Sequence, residues 1–406
     1  MRIAYLIHQN PRGGLGGSEV YAGHLARAAV QAGHQALVVC RGDGRGQPVR
    51  RDEQDGVAYF TLDADSLWTS GGRFALRASY DNPVAFERVK RLLAEFRTER
   101  LHVHHFLMTS ARLALSAAER GIPVTATLHD YWAFCHRITW QLPDDTACPG
   151  PQRGLRCRHC GKPEYNRFPG RLLQPAHAAA FFQRNALLRR AYGVMRGVFA
   201  PSQAVLDAHR ANGFAEAALH LLPYGLPLGR RFERGAPRSP LRVGFIGRLA
   251  PEKGVETLIR AARQGHRFEA HIHGGGDPGY EAGLRRIAAG APVVFHGAFA
   301  HAELHRVLDG LDVVALPSRW RENLPLTALE AAQRGVPVVA AALGGLREMP
   351  ALCGVRLIEA DASEAWAAAL DELAGEAVWR SAQQGMRYER RIADDLAAHL
   401  EAGGRA

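Results

Sequence analysis

Glu322 and Glu330, two carboxylates separated by seven residues, are the groups in this sequence best placed to do chemistry. Glu322 follows the apolar run Val313–Pro317 and falls in a loop. Glu330 lies in a helix-type stretch ending at Gly335, after which Val336–Ala340 reads as a strand. A loop carboxylate ahead of a helix can accept hydrogen bonds from hydroxyl groups, while the first N–H groups of the helix lack intrahelical partners and suit an anion. A second carboxylate two turns further on suits the diol of a ribose. The pair could therefore serve a sugar and a nucleotide phosphate, although exposed helix glutamates are more often only solvated.

Cations stand at a matching position. Gly247-Arg-Leu-Ala-Pro-Glu-Lys-Gly254 follows the strand-like run Leu241–Ile246, so Arg248 and Lys253 lie at a strand's carboxyl end. Two cations converging there would stabilise a departing diphosphate; surface ion pairing is the competing use. Near the N-terminus, Pro11–Gly17 is glycine-rich and precedes a helix that Ser18 can cap. Backbone N–H groups at Gly16 and Gly17 could approach a phosphate, though a flexible turn explains the glycines about as well. No Gly-Lys-Ser/Thr follows, so this is not a Walker A loop. His129-Asp130 ends the strand-like run beginning at Val124, and His104-His105 end another. A histidine there can reach a substrate hydroxyl, with the aspartate orienting it or serving a turn.

The elements that must position these groups form two series. Ile3–Ile7, the glycine-rich turn, a helix to about Ala32 and Gln35–Val39 make one βαβ unit. Leu101–His105, Val124–His129 and Gly197–Ala200 continue the first series. Leu222–Pro227 and the polar stretch to Pro240 read as a linker. Leu241–Ile246, Phe268–His273, Val293–His296, Val313–Leu316 and Val336–Ala340 form the second series. Apolar runs alternating with helical segments predict an α/β fold: two doubly wound, parallel Rossmann-like domains with right-handed crossovers, facing a central cleft. Expected boundaries are 1–225 for the N-terminal domain, 226–382 for the C-terminal domain, and 383–406 for a C-terminal segment, helical from about Gln384 to Ala402, that packs back on the N-terminal domain.

The 406 residues are 47% hydrophobic, enough for two or three globular domains. No run of about 18 apolar residues suggests a membrane span, and Met1–His8 reads as a buried strand rather than a leader. The expectation is a cytoplasmic protein. A net charge of +11 favours anionic partners, or simply a solvated basic face. The segment Pro175–Tyr192 reads as a basic amphipathic helix, which could rest on an anionic membrane surface at its inner face or pack on the first sheet. Nothing resembles a recognition helix, so no nucleic-acid partner is expected.

Four of the six cysteines cluster after His129-Asp130, in an insertion at about 131–170. The gaps between Cys135, Cys148, Cys157 and Cys160 are twelve, eight and two residues. Four thiolates suffice for a closed tetrahedral zinc site, with His136 and His159 as substitutes. An iron–sulfur cluster, a regulated disulfide and free thiols are the other readings.

The order Gly-Gly-x-Glu, His-Asp after a strand, Gly-Arg-Leu-x-x-Glu-Lys-Gly, His-Gly-Gly-Gly-Asp and Glu-x7-Glu resembles the family 4 retaining glycosyltransferases of GT-B architecture. The resemblance spans most of the chain and is more specific in its second half. It implies transfer of a sugar from a UDP- or GDP-linked donor to a hydroxyl of a glycan or lipid-linked acceptor, during surface polysaccharide or glycolipid assembly, without a catalytic metal. It implies Arg248 and Lys253 at the donor diphosphate, Glu322 at the sugar hydroxyls with backbone N–H groups of Asn323 and Leu324, and Glu330 at the ribose. His296-Gly297 and the following Ala298 and Phe299 would line the base pocket. Gly16 and Gly17 would approach the phosphates or acceptor, and His129 would sit beside the anomeric carbon. Many relatives carry Glu-Pro/Gly-Phe-Gly where this chain has Glu322-Asn-Leu-Pro325, a change of turn residues around the acid. Asp63-Ala-Asp65 spells the metal–nucleotide signature of the other major glycosyltransferase fold, but the rest of that fold's order is absent. A non-catalytic nucleotide-sugar sensor or scaffold on the same fold is the alternative function.

Overall fold

The computed structural model describes residues 1–13, 16–42, 50–62, 75–107, 109–160, 174–229 and 234–404. Asp63-Ala-Asp65, Gly14 of the glycine-rich turn and residues 161–170 of the expected insertion lie outside them. The chain forms two compact units. One comprises Met1–Gly13, Ser18–Gly225 and Ile392–Ala406, the other Gly14–Gly17 and Leu226–Arg391.

The first unit is built on eight strands: β1 (Arg2–Leu6), β2 (Gln35–Arg41), β3 (Arg50–Gln54), β4 (Val57–Leu62), β5 (Arg100–Val103), β6 (Val124–Thr127), β7 (Gly197–Ala200) and β8 (Leu219–Leu221). Their order in the sheet is β3-β4-β2-β1-β5-β6-β7-β8. All neighbours are parallel except β3 and β4. β1 reads as a continuous apolar run because both its faces are covered: Ile3, Ala4, Tyr5 and Leu6 are all buried. The antiparallel β3–β4 hairpin was not expected. It turns on Asp55-Gly56, where φ is 53° and 73°, the left-handed pair that a two-residue hairpin loop requires.

The basic segment after the cysteines is a helix, Gln174–Gly193. Inside it Arg184 is fully buried; its guanidinium lies 4.5 Å from the Trp132 ring centre and donates to the Trp132 carbonyl. This part of the helix therefore packs within the unit. At the C-terminus the helix expected from about Gln384 begins only at Ile392 and runs to Gly404, after a separate helix, Glu376–Gly385. The backbone between them is used elsewhere: the Leu226 N–H donates to the Arg390 carbonyl at 3.0 Å, and Leu226 bridges Arg391. The later helix belongs to the first unit. Asp395, wholly buried, accepts from the Tyr21 hydroxyl at 2.7 Å and the Gly225 N–H at 2.6 Å.

The second unit holds β9 (Leu241–Ile246), β10 (Phe268–His273), β11 (Val293–Gly297), β12 (Val313–Leu316), β13 (Val338–Ala341) and β14 (Arg356–Ile358), in the order β11-β10-β9-β12-β13-β14. Every pairing is parallel. The chain winds outward from β9 to β11, then restarts at β12 on the other side of β9. Such a reversal leaves a crevice outside the carboxyl ends of the two central strands, where loops diverge to opposite faces.

Candidate functional site

The loops after β9 and β12 meet at that reversal. Lys253 ends the loop after β9, and its ammonium lies 2.7 Å from Glu322 Oε1, in the loop after β12. The same oxygen accepts from the Ser318 hydroxyl at 2.7 Å. The Glu322 side chain is 7% exposed and that of Lys253 26%, so a largely desolvated carboxylate is held by a cation that water still reaches. Lys253 Nζ also stands 5.2 Å from the Trp320 ring centre. The Arg319 N–H donates to the Glu252 carbonyl at 2.8 Å, tying the two loops together through their backbones.

Two glycines permit this closeness. Gly254, at φ 67°, lies so near the end of β12 that a Cβ would overlap the Pro317 carbonyl oxygen. Gly344, at φ 55° beyond β13, abuts the backbone of Arg321 and Glu322, and the next N–H, of Gly345, donates to the Glu322 carbonyl at 2.7 Å. Both positions combine a left-handed backbone with close approach, which only glycine meets without strain.

Asn323 and Leu324 follow Glu322 and are buried, and Asn323 Oδ1 has no hydrogen-bond partner among the described residues. A buried orphan acceptor is costly unless something donates to it. Pro325 then leads into the helix Leu326–Gln333, whose first N–H groups open beside these loops. Gly17 clusters with this unit; a Cβ there would lie 3.6 Å from Leu326 Cδ1.

Arg248 is placed differently from Lys253. Its side chain is 64% exposed and its guanidinium pairs with Glu252 at 2.6 Å. Glu330 is bonded to His301 Nε2 at 2.8 Å, so the loop after β11 reaches the helix carrying Glu330. Ala298 and Phe299 lie on that same loop, Ala298 exposed and Phe299 half-buried. Ser318, Trp320, His301 and Gly344 were not singled out from sequence. None belongs to a short motif, and each is defined by what it touches across loops.

In the first unit, His129 lies beyond the end of β6. Its Nε2 is 2.9 Å from His104 Nδ1 and its Nδ1 is 2.8 Å from the Tyr224 hydroxyl, so both ring nitrogens are engaged. Burial lowers its pKa to about 3, which keeps the ring neutral at physiological pH. Asp130 pairs instead with His105, at 3.2 Å, and accepts from the Trp132 N–H at 2.7 Å. Burial alone would raise the Asp130 carboxyl, but His105 and the Trp132 N–H outweigh it and bring the pKa to about 2. Asp130 therefore does not orient His129; Tyr224 and His104 do. His8 and Glu19 form a second contact here, at 3.2 Å. Burial depresses His8 and raises Glu19.

Cys135, Cys148, Cys157 and Cys160 line one small cavity, with Phe134 and Trp140. Among the described residues, their sulfurs do not close on one point. No three of their sulfurs form a group within 4.8 Å of one another, as three histidines of the second unit do. Tetrahedral coordination at about 2.3 Å per Zn–S bond needs sulfurs closer than that. Burial pushes the Cys135 thiol to about 11 and Cys157 to about 12, outweighing the opposing pull of the Arg184 charge, so both thiols stay protonated at neutral pH.

Comparison with known proteins decides the family. The description Glycosyltransferase Family 4 matches residues 15–230, more than half of the chain, and Glycosyl transferases group 1 matches residues 240–376. The chain belongs to glycosyltransferase family 4. The two family segments meet close to the Gly225/Leu226 division between the compact units. The D-inositol 3-phosphate glycosyltransferase of Segniliparus rotundus is 34% identical over 176 residues, 38% of this chain and 39% of that protein. The first curated relatives are covered over only 22% and 39% of their own length. Sucrose-phosphate synthase from Thermosynechococcus elongatus superposes with a TM-score of 0.69 at 18% identity, over 99% of this chain and 98% of that one. HepE of Anabaena, solved in complex with UDP and glucose, gives 0.64 at 19% identity over 99% of each chain. These likenesses establish the GT-B fold class. No helix among the described residues is long and apolar enough to cross a membrane.

Proposed function

We propose that this family 4 protein is a retaining glycosyltransferase that binds a nucleotide-diphosphate sugar in its second unit and transfers the sugar to an acceptor hydroxyl. The observation that carries the reading is the Lys253–Glu322 contact at the strand-order reversal. Lys253 would stabilise the leaving diphosphate, assisted by Arg248 once its guanidinium leaves Glu252. Glu322 would accept from sugar hydroxyls, the orphan Asn323 Oδ1 offers a second acceptor, and Glu330 would take the ribose diol. The N–H groups at the start of the helix Leu326–Gln333 and the backbone of Gly16-Gly17 would face the phosphates. Fixed charges in a partly desolvated site stabilise developing charge without reorganising at the moment of reaction.

In the proposed step the acceptor oxygen bonds to the anomeric carbon on the face from which the diphosphate leaves. The carbon–oxygen bond to phosphate breaks, and the acceptor proton passes to the departing phosphate oxygen. Configuration is retained and no metal is required for charge balance. For His129, expected as a catalytic residue beside the anomeric carbon, the role proposed is positional, because its two nitrogens are engaged by Tyr224 and His104. UDP is the first donor base to test, since HepE was solved with it. A glycan or lipid-linked acceptor of the cell surface is the proposed class.

The test is thermal stabilisation by UDP-, GDP- and ADP-sugars, followed by transfer to a mixed glycan and glycolipid acceptor panel. A bound donor raises apparent stability by mass action. Donor-dependent stabilisation with product of retained configuration supports the reading. Stabilisation without transfer or hydrolysis across the panel would leave a nucleotide-sugar sensor.

A further inference from the structure

The second unit gathers three imidazoles on β10 and β11. Side chains alternate along a strand, so Glu269, His271 and His273 share one face of β10. Phe268, Ala270 and Ile272 are buried on the other. Across the ladder, His271 pairs with Val294 and His273 with Gly297, the register shifting between them, so His296 of β11 falls between the two histidines. This face is partly open: Val294 is 42% exposed and His296 is exposed.

The rings converge. His271 Nδ1 lies 2.9 Å from His296 Nε2. The His273 and His296 rings stack with centres 4.1 Å apart and planes 2° apart. One ring nitrogen from each histidine lies within 4.8 Å of the other two. Glu269 Oε1 lies 2.8 Å from His271 Nε2 and 3.3 Å from Arg242 Nε. A carboxylate on one imidazole nitrogen fixes the proton there and leaves the lone pair on the other, the arrangement that supports metal-bound histidines. Here the nitrogen left with the lone pair is Nδ1, the one facing His296. Zn–N bonds of about 2.0–2.1 Å are within reach by rotation of the more exposed His273 and His296 rings.

We propose that His271, His273 and His296 form a binding site for one divalent transition-metal ion of the zinc class, with Glu269 orienting His271. Three imidazoles with no carboxylate or thiol among the ligands favour zinc, cobalt, nickel or copper over magnesium or calcium. The ion would leave a fourth position open to water. The His273 ring also meets Phe299 edge-on at 6.1 Å, so occupancy would brace the loop proposed for the nucleotide base.

The experiment is a cobalt(II) titration of the metal-free full-length chain, followed by visible absorption, with zinc(II) as competitor. The expected signal is ligand-field absorption from about one equivalent of cobalt, without the sulfur-to-cobalt charge transfer that thiolate ligands produce, and erased by zinc. His296→Ala and His273→Ala should each abolish it while circular dichroism stays unchanged, and Glu269→Gln should weaken binding by about 10- to 100-fold. Cys157→Ser/Cys160→Ser should leave it intact. The proposal is overturned if no cobalt binds, if both histidine variants keep the signal, or if the absorption carries charge-transfer bands that vanish in the cysteine variant.

Discussion

Replacing Lys253 with methionine separates what the lysine does for the fold from what it does for the donor. Methionine keeps most of the aliphatic stem and removes the charge, leaving Glu322 with the Ser318 hydroxyl and no cation. A hydrogen bond between charged groups contributes about 1.5–3 kcal/mol, and stranding one member of a fully buried pair costs about 3–5 kcal/mol. The glutamate is nearly buried but the ammonium is a quarter exposed, so water can partly replace it, and about 2 kcal/mol is expected. For a domain of this size that corresponds to a fall of about 4–8 °C in Tm. Adding Glu322→Gln removes the stranded charge and keeps an acceptor for Ser318, so the double variant should regain most of the lost stability. Transfer should behave otherwise. Loss of one preorganised stabiliser at a developing anion costs about 100- to 1000-fold in rate, and the double variant should stay at least as inactive as the single one. Calorimetry and initial rates with a saturating UDP-sugar read the two effects independently. If the single variant melts within 1 °C of the parent, or the double variant is no more stable than the single, Glu322 does not depend on Lys253 (the refuting threshold is about 0.3 kcal/mol). If transfer falls by less than about threefold, the lysine is not at the leaving group.

Gly344→Ala should cost about 2 kcal/mol or more and weaken donor binding, because a Cβ at φ 55° would press on the Arg321 and Glu322 backbone; unchanged denaturant and donor-binding midpoints would contradict this. Asp395→Ala should destabilise the first unit by about 3 kcal/mol, since the Tyr21 hydroxyl and the Gly225 N–H both lose a buried acceptor, and Asp395→Asn should fall between the two in a urea titration. Acid should weaken the first unit below neutrality. Burial lowers His129 to about 3 and His209 to about 4, so the unfolded chain takes up protons first as pH drops through about 6.5. Their stability is whole above that value, about 2 kcal/mol from each is gone by pH 5, and the loss ends only below the folded values. A urea midpoint that stays constant from pH 7.5 to 5 would mean these rings are not held neutral. Asp130, lowered to about 2, adds a further loss only below about pH 4.

The strand positions of both units were legible because buried parallel strands must be apolar on both faces, which writes them as short continuous runs. Gly197–Ala200, Leu241–Ile246, Phe268–His273 and Val313–Leu316 agree residue for residue with the expected segments. The β3–β4 hairpin has a local signature in the chain, Asp55-Gly56, whose types suit the two left-handed positions of its turn. The C-terminal helix boundary was not legible. Residues near Arg390 are helix-compatible by type, and only their pairing with Leu226, far away in sequence, takes that backbone out of the helix.

The amino-acid order alone settled the α/β class, the two series of strands, and the positions of Arg248, Lys253 and Glu322 in loops after strands and of Glu330 in a helix, because periodicity and loop placement are local properties of a chain. Contacts between loops decided the rest. Lys253 binds Glu322 while Arg248 turns to Glu252, His129 leans on Tyr224 and His104 rather than Asp130, and the four cysteines share a cavity without closing on one point. Those outcomes depend on strand order and on the few ångströms that glycines such as Gly254 and Gly344 allow between backbones. They arise from distances between segments far apart in the chain, which no spacing along it can encode.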